Sequence, residues 1–213
     1  RDILITGGDA LMSSDRSLKE LLDAVYEMAR NKREKNRQRP DGEKHAEIQR
    51  VRLGTRMLTY LPQRITPELT EILSDFKKRA SEIGISQFLI QTHVESPMEV
   101  TPESSQAARR LTGAGWLITN QLVFTTAASR RGHTAKLRKV MNDVGILPYY
   151  TFTVKGYMEN NFNFAPNARV VQEQLEEKII GKIEKEHYET VRQFSDNAEN
   201  IVESIDSLRR SAD

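Results

Sequence analysis

Five apolar runs of strand length alternate with stretches of helical periodicity, and this alternation constrains the fold more than any single motif does. The runs cover residues 2–6, 50–55, 86–92, 116–124 and 146–154. The helical patterns cover residues 17–30, 67–83, 102–113, 132–143 and 167–180. Thr66-Pro67-Glu68 and Thr101-Pro102-Glu103 read as helix starts: a capping hydroxyl, a proline at the first helical position and early negative charge. Residues 31–47 (NKREKNRQRPDGEKHAE) contain Pro40 and Gly42 and read as a charged, solvated insertion, or as a basic patch for an acidic partner. Over residues 185–210, Tyr188, Val191, Phe194, Ala198, Ile201, Ile205 and Leu208 recur at helical spacing. That pattern predicts one amphipathic helix laid on the outside of the domain or on a missing part. The expected division is a partial barrel over 1–181 and a helical extension over 182–213.

Strand–helix alternation implies a parallel sheet with right-handed crossovers, either an open doubly wound sheet or a β/α barrel. The strand ends favour the barrel, because barrels gather ligand groups at the C-terminal ends of many strands rather than at one switch point. Successive exits carry Gly7-Gly8-Asp9, Gly54-Thr55-Arg56, Thr92-His93, Asn120-Gln121 and Tyr149-Tyr150-Thr151. The fold expectation is therefore α/β: a partial parallel (β/α) barrel of five βα units with a C-terminal amphipathic helix.

The chain has 213 residues, enough for one sizeable domain or part of a larger one. Its 32 basic and 30 acidic side chains leave a formal charge of +2, so composition calls for neither nucleic acid nor an anionic membrane. No apolar run reaches the ~20 residues of a membrane span. There is no cysteine, which removes disulfides and thiolate-held metals from this chain and fits a cytoplasmic location. The chain opens directly into a strand after Arg1, which leads us to expect a segment of a longer protein. The expected partners are a small-molecule substrate and, left open, further copies of the chain in a homo-oligomer.

Most strand-end residues carry more than one reading. Gly7-Gly8 strips side chains from a strand exit so that a ligand can approach backbone groups, or simply makes a turn. Arg52 and Arg56 could grip a phosphate or carboxylate, or form interior salt bridges. His93 could titrate against a ligand or be structural. Asn120 and Gln121 carry amides suited to a ligand's hydrogen-bonding edge. Lys155, behind an aromatic strand, could form a Schiff base, bind an anion, or reach solvent.

Joined in order, these pieces resemble the lysine 2,3-aminomutase family of radical S-adenosylmethionine enzymes. The matching segments are Ile3-Leu4-Ile5-Thr6-Gly7-Gly8-Asp9-Ala10-Leu11 and Val51-Arg52-Leu53-Gly54-Thr55-Arg56. They continue with Leu61-Pro62-Gln63-Arg64-Ile65-Thr66-Pro67-Glu68-Leu69, Thr92-His93 with Pro97 and Glu99-Val100-Thr101, Asn120-Gln121, and Pro148-Tyr149-Tyr150. The resemblance covers about residues 2–154. It implies that this chain carries the second to sixth strands of a six-unit partial barrel. It further implies that Gly7, Gly8 and Asp9 adjoin the methionyl amino group of S-adenosylmethionine, with His93 and Gln121 beside that cofactor. The family's [4Fe–4S] cluster is held by a Cys-x3-Cys-x2-Cys loop after the first strand, so its ligands would lie outside this chain. The family's glycine-rich segment bearing the pyridoxal phosphate lysine has no counterpart here, which leaves that cofactor open.

After the Tyr-Tyr pair, lysine-acting members carry an acid for the substrate's side-chain amine; Lys155 stands there instead. A cation would repel that amine, so we expect a divergent member not specific for lysine. The leading expectation is radical hydrogen abstraction leading to amino-group migration or a related isomerisation. The alternatives are a cluster-free barrel lyase using Lys155 as a Schiff base, and a non-enzymatic interaction module docking through the C-terminal helix.

Overall fold

The computed structural model describes residues 1–153, 159–178 and 184–210. Lys155 and the 181/182 domain boundary lie outside the described residues. Five strands form one parallel sheet in the order β1 (Asp2–Ile5), β2 (Arg50–Gly54), β3 (Gln87–Thr92), β4 (Leu117–Val123), β5 (Ile146–Phe152). Spatial order equals sequence order. With right-handed crossovers that order has no switch point, so the crossover helices share one face, as in a barrel wall.

The helices of that face are α1 (Asp15–Arg37), the short α2 (Met57–Tyr60), α3 (Pro67–Glu82), α4 (Pro102–Gly113) and α5 (His133–Asp143). Thr66 accepts the Leu69 N–H at 3.2 Å and Thr101 the Ser104 N–H at 3.2 Å, so both Thr-Pro-Glu starts cap as their chemistry predicts. Period-two alternation turns Val51, Leu53, Phe88, Ile90, Ile118 and Ile146 toward the helices, where they join Leu18, Leu22, Leu69, Leu73 and Leu111 in the core. Trp116 stacks on Phe76 at 6.2 Å and meets Phe88 edge-on at 5.5 Å; its Nε1 donates to the Leu73 carbonyl at 3.0 Å. A buried indole thus has its one donor satisfied.

Two expectations change. The first helix runs on to Arg37, so the start of the charged stretch is helical. Its Lys, Arg and Glu residues are strong helix formers, and Arg30 pairs with Glu27 at 2.6 Å. Asn36 is buried and holds the following loop, donating to the His45 carbonyl at 2.7 Å and to Glu47 at 3.0 Å.

The tail is not one helix. After α6 (Asn167–Lys178) come α7 (Tyr188–Arg192), 3-10 turns at Gln193–Ser195 and Ala198–Asn200, and α8 (Ile201–Arg210). The break falls at Asp196-Asn197, residue types whose side chains compete with helical hydrogen bonding. Nor does the tail lie outside. Phe194, Ile201 and Ile205 pack against Leu117, with Leu89 and Leu147 beside them. Those leucines alternate with core residues, so they belong to the helix-free face, near the N-terminal ends of β3–β5. The bend lets the tail lie across that face as a floor. Arg209 fixes it, pairing with Asp143 at 2.6 Å. The apolar stripe that could have docked a partner is thereby largely spent inside the molecule.

Candidate functional site

Above that floor, at the C-terminal ends of β1–β4, the helix-free face opens into a cavity of about 530 Å³. Its wall includes Leu4, Thr6, Gly8, Asp9, Gly54, Arg56, Tyr60, Gln91, His93 and Gln121. Four of the five strand exits therefore contribute.

At the exit of β1, Gly7 (φ 121°) and Gly8 (φ 65°) adopt backbone conformations that side chains disfavour, and a Cβ on either would face open space. The bare backbone is thus exposed at the cavity's edge. Asp9 turns to the neighbouring exit. Its Oδ1 accepts the Thr55 hydroxyl at 2.6 Å and the Leu11 N–H at 2.9 Å, and its Oδ2 accepts the Arg56 N–H at 2.5 Å. Asp9 is a clasp between β1 and β2. The Ala10 N–H adds a bond to the Gly54 carbonyl at 3.0 Å.

The two arginines part company. Arg52 sits on the helix-free face below the cavity, bound to Asp2 at 2.7 and 3.0 Å and to Gln91 at 3.2 Å. It is a partly exposed salt bridge that, with Gln91, ties three strands together. Arg56 begins α2, lines the cavity, and makes no ion pair with any described residue.

Asn120 and Gln121 part as well, because consecutive strand residues face opposite sides. Gln121 lines the cavity. Asn120 is buried against the β3 exit, accepting the Val94 N–H at 2.6 Å and donating to the Val94 carbonyl at 3.0 Å. Both ends of its amide are bonded there, and it does not line this cavity.

His93 is half-buried at the cavity wall, and its Nδ1 is buried without a partner. Burial, then the nearby Arg56 charge, pull its pKa below the ordinary imidazole value, while the Gln121 backbone acts the other way. Burial and the Arg56 charge both favour the neutral ring.

Sequence reasoning passed over Glu95, two residues on. Its Oε1 accepts the Val123 N–H at 3.2 Å, and its Oε2 is buried without a partner. Burial, reinforced by Glu99, pushes the carboxyl up to about 7, against the Val123 N–H and Arg56. An acid directly beyond a strand-end histidine was the available signal.

A second cavity, about 490 Å³, lies on the helix side of the edge strand β5, lined by Leu137, Arg138, Pro148, Tyr149 and Tyr150 among others. It shares no lining residue with the first cavity, and of the strand-exit amides it takes Asn120 alone, so the chemistry belongs to the first. Here β5 carries one extra residue at Tyr149: Asn120 pairs with Pro148 and Gln121 with Tyr150. Among the described residues, no three His, Asp or Glu could hold a metal ion, and no helix is long and apolar enough to cross a membrane.

No family model matches the sequence. Over 176 residues, 83% of the chain, it is 39% identical to an uncharacterised KamA family protein of Methanocaldococcus jannaschii, covering 24% of that protein. It is 31% identical to glutamate 2,3-aminomutase of Clostridioides difficile over 156 residues, 73% of the chain and 31% of the relative. It is 33% identical to L-lysine 2,3-aminomutase of Clostridium subterminale over 153 residues, 71% of the chain and 30% of the relative. The chain thus spans 24% to 31% of the length of these relatives.

Proposed function

Because the chain belongs to the KamA (lysine 2,3-aminomutase) family, we propose that its cavity holds S-adenosylmethionine in a radical isomerase of the aminomutase type. The observation that carries this is the meeting of Gly8, Arg56, His93 and Gln121 at one mouth on the helix-free face. The residues suit such a ligand. The exposed Gly7-Gly8 backbone can take a methionyl amino group, and the His93 imidazole and the Gln121 amide, both at the cavity wall, can take the edges of a nucleoside. Arg56 can take a carboxylate.

Bound there, the cofactor would supply radical hydrogen abstraction. The chain's own contribution is positional. Asp9 clasps two exits so that Gly8 and Arg56 keep a fixed spacing. Neutral His93 presents a hydrogen-bonding nitrogen without adding charge. The tail closes the lower end of the same face, so the open end is the strand-exit mouth. A [4Fe–4S] cluster requires thiolates, which this sequence lacks, so the residues of this chain would not hold one.

The substrate is proposed not to be lysine, since Lys155 would oppose a side-chain ammonium. Undiminished L-lysine turnover by the full-length Lys155→Ala protein would remove that part.

The test of the main reading is binding of S-adenosylmethionine to the full-length protein by equilibrium dialysis, with formation of 5′-deoxyadenosine under reducing, anaerobic conditions. His93→Ala and Gln121→Ala should each weaken binding by about tenfold, the size of one or two lost hydrogen bonds. Unchanged affinity in both variants, or no 5′-deoxyadenosine, would refute it.

A further inference from the structure

Beyond β3 the ladder to β4 ends, and the Glu95 side chain supplies the next rung by accepting the Val123 N–H. Its second oxygen is enclosed with no donor. Glu99 faces it from the 3-10 turn Pro97–Glu99, its Oε1 accepting the N–H groups of Glu95 at 2.9 Å and Ser96 at 2.8 Å. From α5, His133 sets its Nε2 3.0 Å from the Glu95 backbone carbonyl. From β3, His93 stands two residues back. From the start of α2, Arg56 lies within electrostatic reach of both His93 and Glu95. Arg52, Arg64 and Arg79 are held by Asp2, Asp15 and Asp23 at 2.7, 2.6 and 2.7 Å, whereas Arg56 pairs with no described acid.

An enclosed carboxylate oxygen without a donor is costly when charged, more so beside a second carboxylate. Protonation relieves both costs and leaves Arg56 uncommitted. Ionisation reverses this: the cation that acts electrostatically on the Glu95 carboxyl is the Arg56 guanidinium at the cavity wall.

We propose that Glu95 is a positioning residue: its neutral form leaves Arg56 free for an anionic group of the cavity's ligand, and its ionised form draws Arg56 away. This rests on the reading of the cavity given above. The anionic group is a carboxylate, carried either by S-adenosylmethionine or by an amino-acid substrate. The changeover belongs near neutrality, where the Glu95 carboxyl titrates at about 7.

The experiment follows Arg56 itself. Full-length protein, as wild type, Glu95→Gln and Glu99→Gln, is treated with phenylglyoxal between pH 6 and 8, and modification of Arg56 is read by mass spectrometry relative to exposed Arg39. In the wild type the Arg56/Arg39 ratio should fall roughly two- to fivefold, the range of a partly exposed ion pair. In Glu95→Gln, which keeps an acceptor for Val123, it should stay flat. In Glu99→Gln, which removes the like charge, the fall should move to lower pH. A constant wild-type ratio, or the same fall in Glu95→Gln, overturns the proposal.

At pH 6, protection of Arg56 by S-adenosylmethionine but not by its decarboxylated form assigns the carboxylate to the cofactor. Protection by acetate alone assigns it to a substrate, and protection by neither overturns the proposal. Failure of S-adenosylmethionine to bind at any pH in dialysis would sink the cofactor reading alone, since the acetate and modification arms do not depend on it.

Discussion

Both carboxylate oxygens of Asp9 are engaged by backbone and hydroxyl donors from its own turn and from the exit of β2. An acid after Gly-Gly looks in sequence like a ligand group; in the fold it holds the ligand groups apart at a set distance. Asp9→Asn keeps one acceptor but turns an amide N–H₂ toward the Arg56 N–H. We expect it to lower stability by about 1 kcal/mol in urea unfolding, the size of one lost hydrogen bond at an exposed donor. Glu95 offers a pH test. Its folded-state pKa, about 7, lies above the ordinary 4.5. The folded protein therefore binds the proton more tightly, and stability from this group is complete below pH 4.5 and lost as pH rises through 7. Allowing for its partial exposure, wild type should lose on the order of 1–2 kcal/mol between pH 5 and 8 that Glu95→Gln does not lose. Parallel thermal-shift profiles for the two proteins would contradict this. His93 was legible as a strand-end histidine, but its neutrality was not, since that follows from burial and from Arg56.

Helix starts were the most legible elements, because a cap is a conversation between residues three apart. Thr66→Ala should cost about 1 kcal/mol by denaturant titration, and Thr101→Ala the same, with no change at the cavity. Helix ends were less legible. The charged residues that looked like an insertion continue α1, and its stop is set by Asn36 reaching the backbone of His45, nine residues on. The tail's periodicity identified its buried face but not its bend. Gly145 marks where the two meet: it sits at φ 81°, and a Cβ there would come within 2.9 Å of Ile201. Gly145→Ala should destabilise by about 1–3 kcal/mol through backbone strain and displacement of α8. A variant with unchanged melting temperature would count against the packed position of that helix.

At the level of the molecule, one sheet has two unlike faces. The helix side buries the main core. The other side is divided along the strands, with an apolar floor under the tail and a polar mouth above it. Removing residues 184–213 would uncover Leu117 and Leu147 and forfeit the burial of Phe194, Ile201 and Ile205, on the order of 5 kcal/mol. We expect stronger dye binding to exposed apolar surface and a lower melting temperature; a truncated chain as stable as the whole would show that the floor is not structural. The linear chain by itself determined five strands, their alternation with helices, and which segment ends would carry polar groups, because these depend on periodicity and capping between near neighbours. Tertiary structure alone decided which of those groups share a cavity. Alternation phase sent Gln121 to the mouth and Asn120 to Val94. A pairing between residues 50 positions apart took Arg52 for Asp2, while Arg56 pairs with no described acid. Enclosure raised the Glu95 carboxyl to about 7. Each outcome depends on contacts between segments far apart in the chain, and such contacts exist only once the sheet has closed around them.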